Sequence, residues 1–167
     1  NWTHIYGPMS TAPAWVKDSL NNIRGRMDLP AIENPVYGYW APVIRVVDGK
    51  LRMYYSIVVD NCIKTGSTGF DGSWTERAFI GMAETTDPSN PEAWEDKGFV
   101  VCSSTAKAAG DWGRASAGGD YGNAYFYYNA IDPTYIVAPD GKHWLIYGSW
   151  HSGFALLEIN PATGKPV

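Results

Sequence analysis

The chain has 167 residues, a length that suits one ordinary domain. Charged residues make up only 18 % and the net charge is -4, so no basic patch is on offer to neutralise phosphates and no nucleic acid is expected as a partner. Hydrophobic residues reach 45 %, enough for a core, yet no apolar run approaches the length of a membrane span, so no membrane is expected either.

The unusual part of the composition is aromatic: 8 Trp and 11 Tyr. Their flat apolar faces with polar edges suit sugar rings. Antiparallel sheets favour the same residues, so the enrichment raises a sugar-binding reading without deciding it. Cys62 and Cys102 are too few for a disulfide framework and lack metal or redox spacing. They read as two free, buried thiols. The first residue is Asn1 rather than Met, which reads as processing or truncation.

In chain order, residues 2–6 read as a short strand with nothing before it to pair with. Residues 14–23 suit a short helix, with Pro13 near its first turn. Residues 28–38 are rich in Pro, Asn and Gly and read as a loop ending in Tyr37-Gly38-Tyr39-Trp40, more like a binding surface than a core. Ala41-Pro42 opens a strand over 43–47, Asp48-Gly49 turns it, and 51–59 returns with Met53, Tyr55 and Ile57 on one face. Residues 61–73 read as a loop, 77–84 as a third strand and 94–101 as a fourth. The long Gly/Ala/Ser/Asp stretch over 103–124 is of the length that usually carries function or mobility.

The pattern then repeats. Pro133 opens a strand, Asp140-Gly141-Lys142 turns it, 143–150 returns, 153–159 follows, and a turn over 160–164 ends the set. Pro42, Asp48-Gly49-Lys50 and Tyr55-Ser56 match Pro133, Asp140-Gly141-Lys142 and Tyr147-Gly148-Ser149. Four antiparallel strands followed by the same set is the signature of propeller blades, so the chain reads as all-β. Residues 1–7 would be the last strand of a preceding blade, 39–102 one full blade and 129–167 most of the next. Two to three blades cannot close a ring without bare edges, so a fragment or half of a paired assembly is expected.

The first strand of a propeller blade lines the central channel. Asp132, just before Pro133, would therefore point towards the axis near one mouth. A bland role as a turn cap competes with this. The matching position in the earlier unit is Ala41, so the fold does not need an acid there, and the functional role gains ground.

Several stretches now meet a known family. Tyr39-Trp40-Ala41-Pro42, Met53-Tyr54-Tyr55-Ser56, Ile80-Gly81-Met82-Ala83, Trp94-Glu95-Asp96-Lys97-Gly98, Asn129-Ala130-Ile131-Asp132-Pro133 and Tyr147-Gly148-Ser149-Trp150 resemble, in this order, glycoside hydrolase family 43. Within it they look most like the endo-1,5-α-L-arabinanases. The resemblance implies a five-bladed β-propeller, secreted or periplasmic, that cleaves arabinan or arabino-oligosaccharides with inversion. It implies three acids: a general base on the first blade, a general acid on a later blade, and a second Asp that tunes and orients that acid. Asp132 matches this second Asp. The base and acid have no counterpart here, so the isolated chain is expected to be inactive, with the remainder of the propeller as its partner. Many members carry Asp where Val43 stands, a departure that puts polar contacts there in doubt. The resemblance also implies calcium on the propeller axis of the full-length protein, near a late His. His4, His143 and His151 do not match that position, so no cofactor or metal ligand is assigned in this chain.

For the sugar, Trp40 is the first candidate for stacking, against a role capping the core. Asn129 and Ser149 are candidates for binding sugar hydroxyls, against turn satisfaction and strand pairing. Trp150 and Tyr39 are weaker candidates, and Glu158, on a third strand, should face outward. The alternatives to an endo-acting arabinanase are an exo-acting arabinofuranosidase or xylosidase of the same family, a non-catalytic glycan-binding propeller, and a purely structural repeat.

Overall fold

Pro13 fixes φ one residue before a helix, and its carbonyl accepts the Val16 amide at 3.0 Å. The helix, α1, runs over Ala14–Arg26, three residues past the expected end. Its one apolar stripe, Val16 and Leu20 at i and i+4, is fully buried. The computed structural model describes residues 7, 9, 11–26, 30–60, 78–103, 128–149 and 153–167. The strand expected over 2–6, the loop over 61–73, nearly all of 103–124, and Cys62, Trp150, His4 and His151 lie outside the described residues. Cys102 is buried.

Two antiparallel sheets follow. The first orders β1 (Val36–Val47), β2 (Lys50–Asp60), β3 (Ala78–Thr85) and β4 (Glu95–Cys102) as a simple meander. The second orders β5 (Thr134–Val137), β6 (His143–Gly148) and β7 (Phe154–Ile159) in the same way. Asp48 (φ 50) and Gly49 (φ 76) form the two-residue turn that joins β1 to β2, both in the left-handed region that such a hairpin requires.

β1 begins at Val36, well before the expected residue 43, so the end of the supposed loop is strand. Tyr39 pairs with Ile57 and Trp40 with Ser56, and the register then skips so that Val43 meets Tyr54. Ala41-Pro42 is absorbed as a bulge. Proline lacks an N–H and is tolerated where the ladder is interrupted, so a dipeptide that reads as a strand opening also fits mid-strand.

β2 is buried on both faces. Met53, Tyr55, Ile57 and Val59 pack with Val16 and Leu20 of α1, while Tyr54 and Val58 pack with Tyr135, Leu145 and Tyr147 of the second sheet. Tyr54 and Tyr135 stack with ring centroids 5.5 Å apart and an 18° interplanar angle. The Tyr54 hydroxyl donates to Gly164 O at 2.9 Å. Lys165 Nζ donates to three carbonyls of the β4 region, Lys97, Gly98 and Phe99, at 2.7, 3.1 and 2.6 Å. The turn after β7 is thereby tied to the first sheet.

The other face of the second sheet is apolar and open. Phe154 is 71 % and Leu156 54 % exposed, beside Ile136. The register places Ile136 opposite Trp144 and Ile146 opposite Leu156, so these side chains share that face.

The register also makes the internal repeat residue-specific. Gly148 N donates to Ile131 O at 2.9 Å, as expected of partners aligned like Trp40 and Ser56. Thr134 faces Ile146 as Val43 faces Tyr54. Ile131 therefore corresponds to Trp40, Asp132 to Ala41, Tyr147 to Tyr55 and Gly148 to Ser56.

Two substitutions test this packing. Arg52, 4 % exposed, is held by Glu84 through contacts of 2.7 Å to Oε1, and its Nη1 has no partner. Glu84→Ala leaves a buried guanidinium unpaired, and a stability loss of about 3–5 kcal/mol is expected in urea unfolding. A methyl on Gly81 would sit 2.5 Å from the Tyr55 ring and 2.7 Å from Trp15 Cζ2. Gly81→Ala should cost about 1–3 kcal/mol in the same measurement, because two interlocked rings must move.

Candidate functional site

The site is built from a short buried segment that presents one exposed acid. Asn129, Ala130 and Ile131 are 7 %, 0 % and 5 % exposed, and Asp132 then emerges before the buried Pro133. Ser103 holds the segment down. Its Oγ donates to Asn129 Oδ1 at 2.7 Å and accepts the amides of Ala130 at 3.1 Å and Ala78 at 3.0 Å. The Asn-Ala-Ile-Asp-Pro run thus reads as an anchor of three residues followed by a projecting carboxylate.

Asp132 has φ 52 and its counterpart Ala41 has φ 27. A residue before proline is pushed towards extended backbone, so both are strained, at roughly 1–3 kcal/mol each. Aspartate tolerates this region better than alanine. The Asp132 Oδ2 accepts a hydrogen bond from Ser149 Oγ at 2.5 Å. That contact exists because β6 stops where β2 does not. Gly148 (φ 116) ends the strand, and a Cβ there would collide with Gly153 O. Ser149 (φ 146) then turns back to the acid.

The other candidates divide. Trp40, 38 % exposed, lines a cleft of about 200 Å³ with Tyr39, Ala41, Pro42, Met53 and Tyr55. Tyr39 is half-buried in its wall. Its hydroxyl donates to Thr11 O at 2.8 Å and its ring tilts against Tyr55 at 5.7 Å. Asn129 has its carboxamide oxygen occupied by Ser103, the turn-satisfying role weighed against sugar binding. Trp150 lies outside the described residues. Glu158 is partly exposed and pairs with Lys142 at 2.9 Å. His143 Nδ1 shares a hydrogen bond with the Tyr135 hydroxyl at 2.6 Å. Among the described residues no group of three or more His, Cys, Asp or Glu is gathered closely enough to hold a metal ion.

Two supporting residues escape sequence reasoning. Ser103 follows β4 with no motif around it. Asp96 accepts from Tyr55 Oη at 2.8 Å, Trp15 Nε1 at 3.1 Å and Gly98 N at 3.2 Å, joining α1 to the wall of the cleft. Its only sequence signal is membership of a Trp-Glu-Asp-Lys-Gly run, which says nothing of Trp15.

No protein-family model matches the chain. Among curated proteins it is 32 % identical over 135 residues to the extracellular endo-α-(1→5)-L-arabinanase 1 of Bacillus subtilis, covering 80 % of this chain and 32 % of that protein. It is 25 % identical over 168 residues to the extracellular exo-α-(1→5)-L-arabinofuranosidase ArbA of Cellvibrio japonicus, covering 100 % of this chain and 37 % of that protein. Among solved structures it matches a GH43 endo-arabinanase from Bacillus licheniformis at 26 % identity and a TM-score of 0.56, covering 95 % of this chain and 39 % of that one. The chain spans about a third of the length of the curated relatives it matches.

The cleft wall makes stability pH-dependent at the alkaline end. Burial pushes the Tyr39 phenol up to about 12 and raises Tyr55, Tyr54 and Tyr147 as well. Unfolded phenols ionise near 10.0 while the folded ones keep their protons. Their contribution is full below pH 10 and is lost as pH climbs through the folded values. The unfolding midpoint should fall steadily above pH 10, with phenolate absorbance appearing together with loss of near-UV circular dichroism.

Proposed function

We propose that this chain, a member of glycoside hydrolase family 43, contributes its two sheets as blades of that family's five-bladed propeller and forms part of an arabinan-cleaving hydrolase in which Asp132 serves the reacting centre. One observation carries the reading. The fold accepts Ala41 at the corresponding position, yet here an exposed carboxylate stands on a buried, hydrogen-bonded stub.

The proposed chemistry is inverting hydrolysis of α-1,5-linked arabinose. An acid protonates the leaving oxygen while a base activates water from the opposite face, the two carboxyls standing roughly 6.5–9.5 Å apart in such enzymes. Asp132 is assigned neither of those roles. It orients and tunes the acid, and the acid and base themselves are supplied from outside these 167 residues. Trp40 offers the stacking face, at the edge of an apolar cleft. The described residues provide no ligand set for the axial calcium that the family resemblance implies, and no role of this chain's residues depends on it. The relatives are named as extracellular enzymes, and among the described residues no helix is long and apolar enough to cross a membrane. The protein is proposed to act outside the cell.

Exo-action is the second reading, favoured by the alignment of the Cellvibrio exo-enzyme along the whole chain. On linear arabinan, a ladder of oligosaccharides released by the complete hydrolase supports endo-action, and arabinose or one short product supports exo-action.

The purified 167-residue chain should release no reducing sugar from arabinan, because each missing proton transfer is worth roughly 10²–10⁴-fold. Measurable turnover would overturn the assignment of acid and base to other parts of the polypeptide. Trp40→Ala should weaken arabino-oligosaccharide binding to the complete hydrolase by about tenfold, or about 1.4 kcal/mol, in calorimetric titration. An unchanged affinity would return Trp40 to a packing role.

A further inference from the structure

Four non-glycine residues among those described have positive φ: Ala41, Asp48, Asp132 and Ser149. Asp48 belongs to a two-residue hairpin that requires it. Ala41 and Asp132 occupy the same position of two repeats. Ser149, with φ 146, has no counterpart of its kind, because in the first sheet β2 runs on unbroken to Asp60. The register gives Ile57 as the residue corresponding to Ser149 and Ala41 as that corresponding to Asp132. An apolar pair therefore satisfies the fold at the very place where the second sheet breaks its strand, turns at Gly148 and brings a hydroxyl to a carboxylate.

The contact itself is short, 2.5 Å from Ser149 Oγ to Asp132 Oδ2, and exposed. An exposed hydrogen bond contributes little to stability, whereas the backbone on both sides of it is held in unfavourable conformations. Stability does not account for the arrangement, and orientation does. The hydroxyl proton can go to one acceptor only. Once it is given to Oδ2, Ser149 fixes the side-chain torsion of Asp132, leaves Oδ1 to face a neighbouring group, and has only lone pairs left for a sugar. The strained φ at Ser149 is what aims Oγ at the carboxylate rather than outward.

We infer that Ser149 is a positioning residue for Asp132 in the hydrolytic reaction, acting through its Oγ–H to Oδ2 hydrogen bond rather than by holding a sugar hydroxyl. The inference rests on the proposed role of Asp132. It extends to Gly148, whose φ of 116 only glycine adopts readily and whose missing Cβ leaves room for Gly153 O.

The test uses the complete hydrolase polypeptide and linear arabinan, with kcat and KM measured separately. Ser149→Gly is the informative variant, since glycine suits φ 146 and removes only the hydroxyl. Ser149→Ala is its companion, and near-UV circular dichroism reports folding of both. A misplaced catalytic group costs roughly 10²-fold. The expected result is a fall in kcat of tenfold or more for both variants with KM within twofold. A smaller fall in kcat for Ser149→Gly, or a rise in KM beyond twofold, overturns the positioning role, and the second of these returns the hydroxyl to the sugar. Asp132→Asn separates the two levels. If it leaves kcat unchanged, the role of Asp132 itself fails. If it abolishes turnover while Ser149→Gly does not lower it, only the role of Ser149 fails. In the Asp132→Asn background, Ser149→Gly should bring no further loss, because the two groups act as one unit.

Discussion

Tyr54 stacked on Tyr135 is the contact on which the rest of the arrangement depends. A small sheet buries an apolar face only by packing it against another element. The first sheet supplies it, and Tyr54 does so twice, through its ring to Tyr135 and its hydroxyl to Gly164. The Arg45 guanidinium reaches Tyr135 O and the Lys165 ammonium reaches three carbonyls beside β4, so polar groups at both margins of the seam are satisfied across it. With the seam closed, Ala130 and Ile131 are buried and the next residue has no direction but outward. The exposure of Asp132 follows from the packing of its neighbours.

The same seam explains the open face on the other side of the second sheet. The first sheet has both faces covered, one by α1 and one by the second sheet. The second repeats the strand pattern of the first and turns Phe154, Leu156 and Ile136 to solvent. Apolar side chains sharing one sheet face are a packing surface by construction. In a propeller this is the kind of surface that another blade covers.

Much of this was legible in the sequence. Asp48-Gly49 announces its hairpin because few residues other than Asn, Asp and Gly sit comfortably with φ > 0. Met53, Tyr55 and Ile57 read onto one face of a strand and share one in the structure, while the burial of Tyr54 and Val58 on the other face comes from the second sheet. The position of Asp132 followed from matching Pro133 with Pro42, and the register bears that match out. What failed was the start of β1. Gly38 and Pro42 look like loop punctuation, and nothing local says that a bulge at Ala41-Pro42 lets the strand continue through them. Ser103 and Asp96 were illegible for another reason. Apart from Gly98 beside Asp96, their partners lie 25 to 81 residues away in sequence, and no spacing rule reaches that far. Ser149 reads in the sequence as a candidate for binding sugar hydroxyls, and its hydrogen bond to Asp132 depends on a backbone turn that no local signal announces.

The aromatic richness that first suggested a sugar also needs reapportioning. Tyr37, Tyr39 and Tyr55 form a ladder of ring contacts under α1, Trp15 fits among Phe79, Phe99 and the space left by Gly81, and Tyr54, Tyr135 and Tyr147 fill the seam. Each of these hydroxyls and rings has a structural explanation, apart from the Tyr147 hydroxyl, which is buried without a partner. Trp40 stands apart, with more than a third of its surface open beside a cleft of apolar lining. Its counterpart in the second sheet is Ile131, fully enclosed. At this register position the fold therefore hides an aliphatic side chain in one repeat, next to the acid, and shows an indole in the other, next to the bulge. Among the described residues the aromatic side chains argue chiefly for antiparallel sheets, and Trp40, exposed beside the cleft, carries the case for a carbohydrate surface.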